Sequence, residues 1–172
     1  MGHLDLSSIL NLVSTVAVVG ALIFTALQVR AANTSRRDQA AVTLIQTTQN
    51  SSWTEALKVL FSLPENATAE YIREQPPEVE RALFELSIRL EPIGYMVFRG
   101  SVTLQSVDEM MGGVALGVWS RSRAWTEEYR RTTHNEKFNE WVEWLADRIA
   151  ERHARVHPQP AHRQYRTWRE RS

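Results

Sequence analysis

The longest apolar pattern lies first in the chain: Leu6 to Val29 is a run of 24 residues with no charged side chain, followed by Arg30, Arg36 and Arg37. At about 1.5 Å rise per residue the run makes about 36 Å of helix, enough for a hydrocarbon core of about 30 Å. It predicts a single transmembrane helix. Within it Ser14, Ala17, Ala21, Thr25 and Gln28 recur at steps of three and four. Small and weakly polar groups in line let membrane helices approach closely, so these five residues form an expected packing face.

Beyond the run, helical periods continue. Val42, Ile45, Gln49, Ser52, Ala56, Leu60 and Leu63 step by three and four, and neither Pro nor Gly intervenes between Gly20 and Pro64. The predicted span therefore continues into a stalk. Pro76-Pro77 opens a second helix through Leu83, Leu86, Leu90, Ile93 and Val97, stopped by Arg99-Gly100, with Pro92 expected to bend it. Ser106-Val107-Asp108-Glu109 has the form of a capping box and predicts a third helix running to Tyr129, broken over Thr132 to Asn135. A fourth carries Phe138, Trp141, Val142, Leu145 and Ile149 on one face. No segment shows strand alternation bounded by turn residues.

The expected fold is all-α: one N-terminal transmembrane helix continuing into a stalk, then a small cytoplasmic helical domain of about four helices. The divisions are a membrane anchor over 1–30, the helical domain over 31–154 and a basic aromatic tail over 155–172. A cleaved signal would carry its positive charge before a shorter apolar core, whereas Met1 to Asp5 holds no Lys or Arg. Position 6 is Leu where an N-myristoylation signal needs Ser or Thr. Arginines behind the span place the N-terminus outside and the remainder in the cytoplasm, in an inner (cytoplasmic) membrane. On that side the tripeptides at Asn33, Asn50 and Asn66 are not glycosylation sites.

Charge and composition sharpen the picture only in places. With no cysteine, disulfides, thiolate metal sites and thiol nucleophiles are excluded. Twenty basic and twenty acidic residues balance, but the segment from Arg152 to Ser172 holds six Arg and one Glu, net +5, leaving net −5 before it. Arg163, Tyr165, Arg166, Trp168, Arg169 and Arg171 interleave positive charge with rings. Such a segment suits an anionic membrane surface or an acidic protein partner; nucleic acid ranks last beside a membrane.

The span ending in Leu27-Gln28-Val29-Arg30, the stretch Glu91-Pro92-Ile93-Gly94-Tyr95-Met96-Val97 with Arg99-Gly100 after it, Trp119, Tyr129, and the aromatic segment from Phe138 to Leu145 carry a family resemblance. Over about residues 8–150 the chain resembles the DUF4760-like group of small bacterial single-span membrane proteins of unknown function. The resemblance implies an N-terminal anchor and a helical cytoplasmic domain, and it implies no catalytic residues. The tail lies outside it.

Candidate chemistry is sparse. His153 and His157, four residues apart, with His162 behind them, have the spacing of metal ligands on one helix face, but Pro158 follows at once and a solvated tail is the simpler reading. His134 falls in a turn beside Asn135, where capping or exposure suffices. The acidic pairs Asp108-Glu109 and Glu140 with Glu143 sit where helix N-termini favour negative charge, and Glu127-Glu128 fits an exposed face. Gly112, Gly113 and Gly117 lie inside a helix with no Lys after them, so they suit close packing rather than a phosphate loop. Met110 to Trp119 is too short to span a bilayer and reads as buried core, with a soft partner groove as the alternative.

The expectation is therefore no enzyme, no cofactor and no metal. The chain reads as a single-span accessory or scaffold subunit that docks on and stabilises a larger membrane-protein complex, for example a respiratory or photosynthetic assembly. Its expected partners are other membrane subunits, the lipid bilayer and a second copy in a homo-oligomer. The alternative is a membrane-tethered signalling or sensing module, which a coiled-coil dimer along Ile45, Ser52, Ala56 and Leu60 would favour.

Overall fold

The computed structural model describes residues 14–30, 32 and 51–169. Two units divide the chain, Met1–Ala40 and Ala41–Ser172. In the first, residues 14–30 form helix α1 with its side chains exposed. Among the described residues no helix is long and apolar enough to cross a membrane. This corrects the expected transmembrane helix. The described turns of α1 rise only about 26 Å, against a hydrocarbon core of about 30 Å, and the longer helices of the second unit carry charge throughout. Residues 6–13 and 33–50, with Val42, Ile45 and Gln49 of the expected stalk, lie outside the described residues.

The second unit is all-helical over its described residues: α2 Ser51–Phe61, α3 Ala69–Arg73, α4 Pro77–Phe98, α5 Leu104–Thr133, α6 Glu140–Val156 and α7 Ala161–Gln164. The expected domain of about four helices gains two short ones, α3 and α7. Thr68 caps α3 by accepting the Tyr71 N–H at 3.1 Å, and Ile72 drives that single turn into the core. α2 packs on α4, and α4 and α5 both pack on α6. Leu60, Leu83, Leu86, Leu90, Leu145 and Ile149 are fully buried between them.

Of the residues expected along a coiled-coil seam, Ala56 and Leu60 are spent in this core and Ser52 is exposed, while Ile45 lies outside the described residues. α4 starts with Pro77 in its first turn and stops at Gly100, whose φ of +71° is open to glycine at no steric cost. The Gly100 N–H reaches Val97 O and the Ser101 N–H reaches Met96 O, both at 3.0 Å, closing a Schellman cap. The helix continues through Pro92 because the carbonyl that loses its donor is that of Ile88, on the solvent side.

α5 begins three residues earlier than its apparent capping box. Thr103 is the N-cap, accepting the Ser106 N–H at 3.0 Å, while Val102 and Val107 flank it as a buried staple. The burial of Val102 fixes the entry of the chain and leaves Ser106 inside the first turn. α5 kinks at Met111, where φ −146° and ψ 15° leave the helical range. From Met110 to Trp119 the run is mixed: Gly112, Ala115, Val118 and Trp119 are buried, Met110 and Gly113 exposed. His134 ends α5 in the left-handed region, a capping place as the turn pattern predicts.

Candidate functional site

Two α4 residues set the geometry of α6. The N-cap of α6, Asn139, is left-handed and makes no capping bond with its own side chain. Glu91 of α4 does so in its place: its Oε2 accepts the N–H of Trp141 at 3.2 Å and of Val142 at 3.0 Å. One turn further on, a Cβ at Gly94 would collide with the Trp141 carbonyl, so only glycine lets the two helices come this close. Burial pushes the Glu91 carboxyl above its ordinary value of 4.5, aided by nearby Glu140 and opposed by the two N–H donors and Arg130. The Asn139 amide donates to Ser87 Oγ at 2.9 Å and to Thr126 Oγ1 at 3.1 Å, tying the turn to α4 and α5. Arg130 closes the same corner, donating from Nε to Phe138 O at 2.8 Å and from Nη1 to Glu143 at 2.7 Å.

This locked seam presents rings to solvent. Tyr95 meets Trp141 edge-on at 5.4 Å, and Phe98 lies 4.8 Å from Trp141 and 5.8 Å from Trp144. Tyr95 is 46 % exposed and Phe98 55 %. Ile88, on the outer side of α4, is 69 % exposed. Ile88, Tyr95 and Phe98 thus stand exposed on α4, the last two packed against the α6 rings. Of these residues the sequence marks Glu91, Gly94 and Tyr95 in the Glu91-to-Val97 stretch and Trp141 and Trp144 in the aromatic segment from Phe138 to Leu145, but not Phe98, whose i, i+3 spacing from Tyr95 is the signal that would have found it.

At the opposite end of α6 the structure joins residues 44 and 45 positions apart. The Asp108 carboxylate accepts from Arg152 Nε at 3.0 Å and meets His153 Nε2 at 2.7 Å. Asp108 is thus more than a helix-start charge: its side chain is only 7 % exposed. His153 engages this carboxylate rather than pairing with His157, and among the described residues no group of three His, Cys, Asp or Glu could hold a metal. Of the glycines, Gly117 admits the Phe61 ring and Gly112 makes room for the Asp108 carboxylate, whereas Gly113 faces open space.

Arg163, Tyr165, Arg166, Trp168 and Arg169 all lie exposed beyond the end of α6, while Arg171 lies outside the described residues. The left-handed His157 and the extended Pro160 turn this tail across the Asp108 end of the domain, where Tyr165 lines a cleft with His153. Ser14, Ala17, Ala21, Thr25 and Gln28 are exposed on α1, and the Thr25 hydroxyl donates to Ala21 O at 2.8 Å within its own helix.

No curated protein and no solved structure matches the chain. A family model described as a domain of unknown function, DUF4760, matches residues 14–149, which include the whole Glu91–Gly94 seam and end at the last buried residue of α6. With that match over most of its length, the chain belongs to the DUF4760 family.

Proposed function

We propose that this chain is a non-catalytic helical docking subunit, which joins a larger protein assembly through the α4–α6 aromatic face and holds on with its basic tail. The carrying observation is the half-exposed pair Tyr95 and Phe98 on a seam that Gly94 and Glu91 lock. Aromatic anchors that are rigid before binding lose little entropy on contact, which is how interface hot spots gain their weight. The partner has an apolar patch for the rings. An acidic neighbourhood on the same partner suits Arg163, Arg166 and Arg169, which would steer its approach.

The test is mild native separation of the full chain from its own cells, beside a Tyr95→Ala/Phe98→Ala variant. The wild type should migrate with other proteins, and the variant should be released while keeping its helical circular dichroism. A wild-type chain that runs as a lone stable monomer contradicts the proposal.

A further inference from the structure

A cleft of about 640 Å³ opens where the start of α5, the end of α6 and the tail meet. Its floor is the cluster around Asp108, and the local structure is bent to make it. Gly112 leaves the space that the Asp108 carboxylate occupies, and α5 departs from helical geometry at Met111 beside it. The buried carboxylate grips Arg152 through Nε only. Among the described residues the two Nη nitrogens of Arg152 make no hydrogen bond, and the side chain, 27 % exposed, forms part of the cleft lining. An arginine held by Nε has its terminal fork set in direction and free, the arrangement that fits a planar carboxylate or a phosphate with two parallel bonds.

We propose that this cleft binds a small molecule bearing one carboxylate or phosphate group on a short apolar body. The oxyanion sits on the Arg152 fork, beside His153, whose orientation Asp108 also fixes. The body lies against Val156, Pro160, Ala161 and the Tyr165 ring, which form the apolar wall. Glu109 stands at the rim, its carboxylate accepting from Gln105 Nε2 at 2.8 Å. That second negative charge selects against polyanions, since like charge in a confined site is unfavourable. The site is independent of the docking face, being built at the other end of α6, and Asp108 acts as a positioning residue that touches no ligand.

Calorimetric titration of the full chain with inorganic phosphate and, separately, with benzoate tests this and distinguishes the two oxyanions. At least one probe should give saturable binding. Arg152→Met should weaken it about tenfold or more, the loss expected for one charge-assisted fork. Arg152→Lys, which keeps the charge but not the fork, should fall between. Tyr165→Ala, outside the ion-pair cluster, should weaken benzoate and leave phosphate unchanged. Absence of saturable binding by both probes, or wild-type affinity in Arg152→Met, overturns the proposal. If Arg152→Met fails to fold, undiminished affinity in Arg152→Lys together with unchanged benzoate affinity in Tyr165→Ala overturns it equally.

Discussion

The domain contains two aromatic clusters built from the same kinds of ring that differ in how far they are exposed. In one, Phe84, Trp125, Tyr129 and Phe138 meet at centroid distances of 4.4 to 5.8 Å, with Trp125 only 3 % exposed and its Nε1 donating to Glu80 at 3.3 Å. In the other, Tyr95, Phe98, Trp141 and Trp144 meet at 4.8 to 6.1 Å, with Tyr95 and Phe98 about half in water. Ring geometry barely separates them. Burial does: the first cluster is centred on the buried Trp125 with Phe84, Tyr129 and Phe138 half-buried around it, whereas in the second Tyr95 and Phe98 keep much of their area in water, area that the proposed docking would bury.

That contrast breaks most sharply at Trp125. Trp125→Ala should cost about 3–5 kcal/mol, as truncation of a buried aromatic does, and thermal unfolding should show it. A loss no larger than that of a surface residue would mean the inner cluster is not core. Gly94→Ala comes next, because the added methyl meets the Trp141 backbone rather than a movable side-chain end. Overpacking of this kind costs about 1–3 kcal/mol, and it should also misplace Trp141 and so weaken docking. An unchanged melting temperature would show that the seam can open.

Glu91 sharpens the comparison through pH. Burial raises its folded pKa above the ordinary 4.5, so between those two values the folded chain holds a proton that the unfolded chain has released. Stability from this group is fully present below the ordinary value and is lost as pH rises through the raised one. Glu91→Gln still offers an oxygen to the Trp141 and Val142 N–H groups and cannot ionise. Denaturant unfolding across this acidic window should therefore show wild-type stability falling relative to the variant as pH rises; a constant difference would contradict the assignment.

The smallest effect on stability is expected from deleting residues 158–172, since every described residue there is exposed: within about 0.5 kcal/mol. Retention of the full chain by its partners should weaken with added salt, which screens charges beyond about 8–10 Å, while the shortened chain should be held less firmly and with little salt dependence. Equal retention of both across a salt series would make the tail irrelevant to docking.

Local pattern carried much of this fold. The three-four step of Leu83, Leu86, Leu90 and Ile93 marks α4, Gly100 marks its end, and Val142, Leu145 and Ile149 mark α6, because each signal is complete within one or two turns. The cap of α5 was misplaced because Ser106 and Thr103 offer equivalent hydroxyls, and the choice falls to the burial of Val102 and Val107, a tertiary effect. The uncharged run before Arg30 suggested a span by hydropathy alone, which the described extent of α1 does not support. Asp108 was unreadable as a site for a plainer reason: its partners Arg152 and His153 lie more than forty residues away, and no local rule joins them. The α4–α6 aromatic face was half legible, since Glu91 and Gly94 belong to the family stretch while the reason for them, the Trp141 backbone, sits on another helix.

The outer rings, on the proposed reading, serve a partner rather than the fold. The most direct test of that role compares thermal unfolding and partner retention in one variant, Tyr95→Ala/Phe98→Ala. The prediction is a stability loss of about 1–2 kcal/mol, the scale of two partly exposed aromatic contacts, together with release from the assembly. A variant that stays with its partners as firmly as the wild type would contradict the claim.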